Sequence, residues 1–253
     1  MKYLRTADLA KAVGVHPNTV RRYAEWGLLP PVGRSPSGYR RFSEHHLDCL
    51  RLAHLIYYKQ YASLGIRQSG LRMIPAAVNG DWGGALELAY GHLAFVRVER
   101  TQADVAAGLL ERWAQGAPVD ATAQSLQIGQ VAQLLGVSID ILRNWDRNGL
   151  IDVPRDPDNG YRRYGSQELS RLRVIRMLSK AGYSLSAILR MLIQLDRGDK
   201  TNLRQALDTP RPDEDVFQAS DRWMSTLIDQ EQRALKIIEL VEEIIQKQTA
   251  SIP

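Results

Sequence analysis

One segment of this chain occurs twice, and the second copy follows the first at a constant offset of 122 residues. Positions 9–42 recur at 131–164, with glycines and arginines in step. The closest correspondence is Gly-Tyr-Arg-Arg-Phe at 38–42, which returns as Gly-Tyr-Arg-Arg-Tyr at 160–164. A repeat with a fixed spacing indicates two related structural units, so it limits the possible folds more than any other feature.

The length of the chain agrees with two units. At 253 residues it is long enough for one large domain or two ordinary ones, and the repeat favours two heads of about 70 residues, each with a helical tail. We therefore predict head one at 1–75, a long helix and linker at 76–125, head two at 126–197, and a loop and C-terminal helix at 198–253.

Charge is distributed unevenly along these segments. Lys and Arg outnumber Asp and Glu by 12 to 4 in residues 1–75 and by 11 to 7 in residues 126–197. The balance reverses in the tails, where acidic residues outnumber basic ones by 6 to 3 in residues 76–125 and by 11 to 7 in residues 198–253. Basic heads on acidic tails are expected when the heads face a polyanion and the tails face each other or solvent.

The composition excludes several other classes of protein. A hydrophobic content of 44% and a charged content of 24% are those of an ordinary globular protein. No apolar run approaches the roughly 20 residues of a membrane span, and no apolar stretch follows the N-terminal basic residue as in a secretory signal. The single cysteine, Cys49, excludes an intramolecular disulfide, so we expect a cytoplasmic protein.

Head one begins with two short helices joined by a tight turn. Thr6 is placed to cap the first helix, and Gly14 to end it in a left-handed conformation. The second helix is predicted at 17–26, with Val20 facing inward. Its outward positions are Asn18, Thr19, Arg21 and Arg22. Two helices around a glycine-containing turn, the second with a basic outer face, form the helix-turn-helix arrangement, whose second helix fits the major groove of DNA.

A β-hairpin is predicted after these helices. Two short extended segments at 28–32 and 38–42 flank a loop rich in Gly, Pro and Ser. Arg34 at the tip and Arg40 and Arg41 on the return strand can reach phosphates beside the groove. Arginines that contact the DNA backbone position a head and do not distinguish bases.

Head two repeats this order. Helices are predicted at 128–135 and 138–148, with a hairpin at 151–164 after them and further helices through Leu192. Asp140 stands where head one has Asn18, so the two heads are expected to prefer different bases or to bind with different strength. Because head two is less basic, we expect it to bind more weakly.

Both heads resemble the winged helix-turn-helix of MerR-family transcription regulators. The resemblance is carried by Val-Gly-Val-His-Pro-Asn-Thr-Val-Arg-Arg-Tyr at 13–23 in head one and by Leu-Gly-Val-Ser-Ile-Asp-Ile-Leu-Arg-Asn-Trp at 135–145 in head two, together with the two Gly-Tyr-Arg-Arg runs. In addition, Ala-Gly-Tyr-Ser-Leu at 181–185 matches the family's link between the last two head helices. It implies a mainly α fold, in which two winged heads with small β-hairpins are joined by long antiparallel coiled-coil-like helices. It also implies a bacterial-type regulator that binds and distorts promoter DNA and acts with RNA polymerase.

The resemblance also implicates individual residues. In the family, polar residues and an Arg of the second helix contact DNA, and the Tyr-Arg of the hairpin touches the backbone. The matching residues are Asn18, Thr19, Arg21, Tyr23, Tyr39 and Arg40 in head one, and Asp140, Arg143, Trp145, Tyr161 and Arg162 in head two. The remaining candidates are His16, Arg22, Arg34, Arg41, Ser138, Asn144, Arg155 and Arg163. Tyr23 and Trp145 have an alternative interpretation as aromatic residues of the core.

A long helix with a heptad seam is predicted after each head, over 84–114 and 216–247, and 198–216 is predicted as a connecting loop. The resemblance implies antiparallel pairing of such helices, which in the family joins two subunits. The small-residue linker at 114–125 fits the same connection within one chain. We therefore predict a pseudo-symmetric monomer, with a homodimer of four heads as the alternative.

The sequence predicts no cofactor, metal site or enzyme activity. Cys49 stands alone, so we interpret it as a buried structural thiol, and there is no phosphate loop, nucleophile elbow or metal-ligand spacing. Two other functions remain open. One is an architectural or excisionase-like factor in recombination or segregation, since winged heads of this type also occur there. The other is a small-molecule-gated sensor with an aromatic pocket built from Trp82, Tyr90, Phe95, Trp113 and Trp223.

Overall fold

In the described residues the fold is mainly helical with a small two-stranded sheet, which confirms the predicted mainly α class. The computed structural model describes residues 3–57, 63–116, 125–210 and 219–250. Among these residues, no helix is both long enough and apolar enough to cross a membrane.

Most of the described residues are helical, and two short strands lie between the second and third helices. In chain order the helices and strands are α1 (Thr6–Val13), α2 (Pro17–Glu25), β1 (Gly33–Arg34), β2 (Arg40–Arg41), α3 (Glu44–Tyr57), α4 (Leu64–Leu71), α5 (Met73–Val78), α6 (Trp82–Ala114), α7 (Ile128–Leu135), α8 (Ile139–Arg147), α9 (Ser166–Lys180), α10 (Leu185–Asp196), α11 (Leu203–Asp208) and α12 (Trp223–Ala250). A 3₁₀ turn at Ala219–Arg222 precedes α12.

The chain divides into two compact units. The first comprises residues 1–98 and 227–253, and the second comprises residues 99–226. Head one and the C-terminal part of α12 therefore belong to the first unit, whereas head two and the C-terminal part of α6 belong to the second.

The turn between α1 and α2 follows from local backbone chemistry. Gly14 has a φ of 73°, the left-handed conformation that closes a helix at low cost only for glycine. The start of α1 differs from the prediction, because its N-cap is Arg5 and not Thr6. The backbone N–H of Arg5 donates to the Asp8 carboxylate at 2.7 Å, so an acidic side chain inside the first turn does the capping.

The hairpin of head one is a short antiparallel pair of strands. Gly33 pairs with Arg41, and Arg34 pairs with Arg40. The chain before α1 joins this hairpin, since Leu4 and Phe42 exchange backbone hydrogen bonds of 2.8 and 3.0 Å. The core beneath these elements is apolar and fully buried, and it includes Leu9, Val20, Phe42, Leu50 and Leu52.

In the first unit, the beginning of α6 runs antiparallel to the end of α12. The Tyr90 hydroxyl donates to Glu242 at 3.0 Å, and further along α6 the guanidinium of Arg97 donates to Glu231 at 2.8 Å. A later residue of α6 therefore contacts an earlier residue of α12, as expected for antiparallel helices. Buried residues of both helices belong to the same apolar core as head one, and they include Ala85, Ala89, Leu93, Ala234, Ile238 and Val241.

The second unit repeats the helix, turn and helix of head one but has a looser hairpin. Gly136 has a φ of 60° between α7 and α8. The bridge between Leu126 and Tyr164 repeats that between Leu4 and Phe42, and one isolated bridge, Arg155 with Arg162, stands in place of the β1–β2 pair. In head one the equivalent pair is Arg34 with Arg40, so the hairpin loop of head two is longer by one residue.

The segment predicted as a connecting loop at 198–216 contains the helix α11, so that prediction was wrong. The buried guanidinium of Arg190 donates to the carbonyl of Ala206 at 2.6 Å, which fixes the end of α11 against α10. A six-residue helix carries no long periodic pattern, so only these tertiary contacts reveal it. Residues 211–216 of this segment and 117–124 of the predicted linker lie outside the described residues.

Candidate nucleic-acid interface

In head one, α2 presents a polar outer face that is ordered from its first turn. The ring Nδ1 of His16 accepts from the backbone N–H of Asn18 at 3.2 Å, so His16 caps the helix. The side-chain oxygen of Asn18 in turn accepts from Nη1 of Arg21 at 3.1 Å. Arg21 is exposed and Thr19 half-buried, while Val20 is fully buried on the opposite face. The guanidinium of Arg21 is thus positioned on the surface by a neutral partner.

Three aromatic rings form a cluster beside this face. The centroids of Tyr23, Trp26 and Tyr57 lie between 5.6 and 6.0 Å apart. The guanidinium of Arg22 lies 4.7 Å from the centroid of Trp26, and that of Arg67 lies 5.5 Å from the centroid of Tyr57. Guanidinium groups are attracted to aromatic faces at these distances, so the cluster holds two cations at the surface of head one.

The cluster changes the interpretation of Tyr23 and adds two residues to the candidate interface. Tyr23 is only 7% exposed, and burial raises its pKa, so the core interpretation holds for this residue and it is not among the exposed candidate contacts. Trp26 and Arg67, both exposed, were missed. An aromatic residue at the end of a basic helix was the only signal for Trp26, and the approach of Arg67 depends on how α2, α3 and α4 pack.

The tip of the head-one hairpin is closed by its own arginine. Nη1 of Arg34 donates to the carbonyl of Gly38 at 3.2 Å across the turn. Tyr39, the next residue, is 75% exposed, so its ring is available to an external partner.

The return strand of this hairpin carries two further cations. Arg40 makes a long ion pair of 3.7 Å with the exposed carboxylate of Glu25. The guanidinium of Arg41 lies 4.9 Å from the ring centroid of Tyr3. Exposed ion pairs of this length contribute little, so Arg40 can exchange its partner at small cost.

In head two, α8 repeats the geometry of α2 with an acid in the first turn. The hydroxyl of Ser138 accepts from the backbone N–H of Ile141 at 3.2 Å and caps the helix. Asp140 pairs with Arg143 at 3.4 Å, and both side chains are exposed. Trp145 is 4% exposed, so this residue, like Tyr23, belongs to the core and not to the exposed candidate contacts.

The end of α8 lacks the aromatic cluster of head one. Asn148 stands at the position of Trp26, and its amide donates to the side-chain oxygen of Asn144 at 2.9 Å. Asn144 is half-buried, so it offers less surface to a partner than the exposed Arg22 at the same position in head one.

The hairpin of head two keeps the closing contact but pairs its return arginines with acids. Nη1 of Arg155 donates to the carbonyl of Gly160 at 3.2 Å, as Arg34 does in head one, and Tyr161 is 70% exposed. Nε and Nη2 of Arg162 both donate to Asp146, at 2.8 and 2.5 Å. Arg163 forms an ion pair with Asp156, whose side chain is almost fully buried.

Cys49, the one cysteine in the sequence, lies away from these faces in α3. It is 1% exposed, its thiol donates to the carbonyl of Ala77 at 3.5 Å, and burial raises its pKa to about 12. Among the described residues, no group of three or more His, Cys, Asp or Glu side chains is arranged to hold a metal ion.

We expect Cys49 to react with a thiol reagent more than about a hundredfold more slowly in the folded chain than in urea at pH 8, because only the thiolate attacks and burial favours the neutral thiol. The raised pKa keeps the thiol protonated until strongly alkaline pH, so labelling of the folded chain should increase only there. A single cysteine makes the absorbance of the released reagent a direct measure, and Cys49→Ala supplies the blank. Equal rates with and without urea would contradict the buried placement.

The five aromatic residues considered for a ligand pocket have different surroundings. Trp82 is buried edge-on to His45, and the indole of Trp223 donates to the carbonyl of Ala181 at 2.8 Å. Tyr90 and Phe95 are exposed on α6. Trp113 lines a cavity of about 620 Å³ in the second unit, together with Ile151, Asp152 and Arg171 among other residues.

Comparison with known proteins matches each head to the model of a regulatory protein. Residues 126–195 match the model of the MerR HTH family regulatory protein, and residues 5–42 match that of the MerR family regulatory protein. Both heads are therefore similar to regulatory proteins of the MerR family.

The relatives share one head-sized segment with the chain. The mercuric resistance operon regulatory protein of Bacillus cereus is 34% identical over 82 residues, which are 32% of this chain and 61% of the relative. That of Serratia marcescens is 35% identical over 75 residues, 30% of this chain and 51% of the relative. The HTH-type transcriptional regulator AdhR of Bacillus subtilis is 30% identical over 76 residues, 30% of this chain and 54% of the relative. The chain thus spans about half to three fifths of the length of these relatives, and no solved structure matches it.

Proposed function

We propose that the chain is a transcription regulator that binds promoter duplex DNA through two winged helix-turn-helix heads. The observation that carries this proposal is the recurrence of one surface. In both heads, a capped helix exposes an arginine, Arg21 or Arg143, and a hairpin beside it carries an exposed tyrosine, Tyr39 or Tyr161. Helix residues on the outer face would contact base edges in the major groove, and the hairpin would contact phosphates.

The two heads would act as the two halves of an intramolecular pseudo-dimer. The antiparallel contact between α6 and α12 within the first unit supports this arrangement, because the two tail helices of one chain already cover each other's apolar residues there. By family resemblance, two heads in successive major grooves would distort the spacer between promoter elements and so control RNA polymerase. We expect the mass of the protein in solution to equal that of one chain. A mass equal to two chains would contradict the pseudo-dimer and support a homodimer with four heads.

Selection of bound duplexes from a random pool, with the full chain, tests the proposal. We expect the selected sequences to converge on a site with two unequal halves, because the outer faces of α2 and α8 differ. Footprinting of the site in genomic DNA then separates regulation from recombination. A footprint between promoter elements supports the regulator, and one at recombination ends supports the architectural factor. A pool that shows no enrichment would reject DNA binding of either kind.

The cavity beside Trp113 supports a second candidate function, a sensor gated by a small molecule. Its wall combines the half-buried indole of Trp113 with the carboxylate of Asp152, a combination that suits an aromatic cation. A rise in melting temperature with aromatic cations, lost in Trp113→Ala, would support this function. Identical melting with and without the compounds would count against it.

We expect the affinity for the selected duplex to fall steeply with salt, with log K against log salt linear and steeper than about −3 between about 50 and 200 mM, since each phosphate contact contributes roughly −0.9 to the slope. The arginines of the two hairpins supply such contacts in this proposal. Fluorescence anisotropy titrations at several salt concentrations measure the slope. A slope near zero would show that the basic surfaces do not face phosphates.

A further inference from the structure

The internal repeat allows each residue of head two to be compared with its counterpart in head one. Three aspartates on the candidate interface of head two have no acidic counterpart in head one. Asp140 corresponds to Asn18 and Asp146 to Ala24, and Asp156 follows Arg155 in the hairpin where head one has Ser35 after Arg34. All three aspartates form ion pairs with arginines that were candidates for contacting DNA.

The pair between Arg162 and Asp146 is held by two hydrogen bonds. Both Nε and Nη2 of Arg162 donate to the same carboxylate, at 2.8 and 2.5 Å, and the two side chains are only 26% and 19% exposed. In head one the counterpart Arg40 is equally shielded, at 27% exposed, but it lies 3.7 Å from Glu25, whose side chain is 62% exposed. A charge-assisted pair with two hydrogen bonds, partly shielded from water, is much stronger than a long exposed one.

The pair between Arg163 and Asp156 is built on a fixed carboxylate. Asp156 also accepts from the backbone N–H groups of Asp158 at 2.8 Å and Asn159 at 3.2 Å, and these bonds hold its pKa below the usual range. The acid therefore stays ionised at neutral pH and cannot turn away. In head one the counterpart Arg41 lies over the neutral ring of Tyr3.

We propose that the aspartates of head two, and above all Asp146, are affinity-limiting residues that withhold its arginines from DNA, so that head one provides most of the affinity of the chain. This inference rests on the proposed function. A phosphate that approaches Arg162 must displace the carboxylate of Asp146 from two hydrogen bonds, and it also meets the negative charge that remains there. Head two then sets the position of the chain on the DNA and the spacing of the two contacts, and it adds little to the affinity.

The test exchanges single residues between the heads. Asp146→Ala gives head two the residue that head one has at this position. We expect the affinity of the full chain for its selected duplex to increase by about fivefold. The slope of log K against log salt should become more negative by roughly 0.9, the contribution of one further phosphate contact. Asp146→Asn removes the charge at nearly constant shape and should give the same result if the alanine variant loses stability. The added affinity should vanish in the double variant Asp146→Ala/Arg162→Ala, because it depends on the released guanidinium.

The reverse exchange supplies the matched control. Ala24→Asp introduces the acid into head one next to Arg40 and should weaken binding. Unchanged or weaker binding by Asp146→Ala and Asp146→Asn, with thermal unfolding like that of the parent, would overturn the inference and show that Asp146 orients Arg162 for its contact. That outcome is distinct from failure of the proposed function, in which the unmodified chain itself would bind no duplex and Arg21→Ala would change nothing.

Discussion

Replacing Arg21 with Ala is expected to weaken binding of the selected duplex by about 1–3 kcal/mol. Arg21 is exposed on the outer face of α2, and its guanidinium is held by the neutral side chain of Asn18 at 3.1 Å. A guanidinium in the major groove can form paired hydrogen bonds with guanine, which is the most common specific contact there. Because the partner of Arg21 is a neutral amide and not a carboxylate, DNA has only one weak hydrogen bond to displace when it binds this guanidinium. An anisotropy titration at fixed salt measures the loss.

A duplex of random sequence distinguishes the two roles that Arg21 can have. If Arg21 contacts base edges, Arg21→Ala loses affinity for the selected duplex and keeps it for the random one. Equal loss on both duplexes would show a phosphate contact only, and no loss on either would contradict the placement of α2 against DNA. Arg143→Ala is the matched substitution in head two. Its effect should be smaller, because Arg143 already pairs with Asp140 at 3.4 Å.

Replacing Gly182 with Ala is expected to destabilise the second unit by about 2–5 kcal/mol. Gly182 has a φ of 95°, which L side chains rarely adopt, and a Cβ atom there would lie 2.6 Å from Nε1 of Trp223. That nitrogen donates to the carbonyl of Ala181 at 2.8 Å, so the indole cannot move away without losing its hydrogen bond. Urea unfolding followed by tryptophan fluorescence measures the change in the free energy of unfolding.

Gly198→Ala is the control for the backbone part of this effect. Gly198 has a φ of 81°, and a Cβ atom added there would meet nothing within 4 Å. Gly198→Ala should therefore lower the free energy of unfolding by only roughly 1–2 kcal/mol, the cost of a left-handed backbone conformation at a residue other than glycine. If Gly182→Ala were no more destabilising than Gly198→Ala, the close approach of Trp223 would be wrong.

The helices of both heads could be predicted because their signals are local. Gly14 and Gly136 mark the turns, and the predicted second helix at 17–26 ends within one residue of α2. The long helices were predictable from the spacing of apolar residues, and the predicted 84–114 differs from α6 by two residues at its start. A period of 3.6 residues depends on the sequence alone and needs no knowledge of what the helix packs against.

The candidate interface was predicted less completely, because exposure and pairing depend on residues far apart in sequence. Tyr23 and Trp145 match a family pattern of contacts, yet the structure buries both rings. Arg67 reaches the aromatic cluster only after α4 has packed beside α3. The pair between Arg162 and Asp146 joins a hairpin residue to a helix residue 16 positions earlier in the sequence, and no periodic pattern in the sequence indicates it.

The duplication by itself determined that the chain contains two related segments, each with an arginine-bearing second helix and a hairpin in the same order. Backbone preferences and apolar spacing act over a few residues, so they can be read without a fold. Only the tertiary structure decided which arginines stand over aromatic rings or neutral partners and which are held by carboxylates. That choice depends on distances of a few ångströms between separate elements, since the strength of an ion pair changes steeply with separation and burial. The difference in DNA affinity that we propose between the two heads rests on these distances.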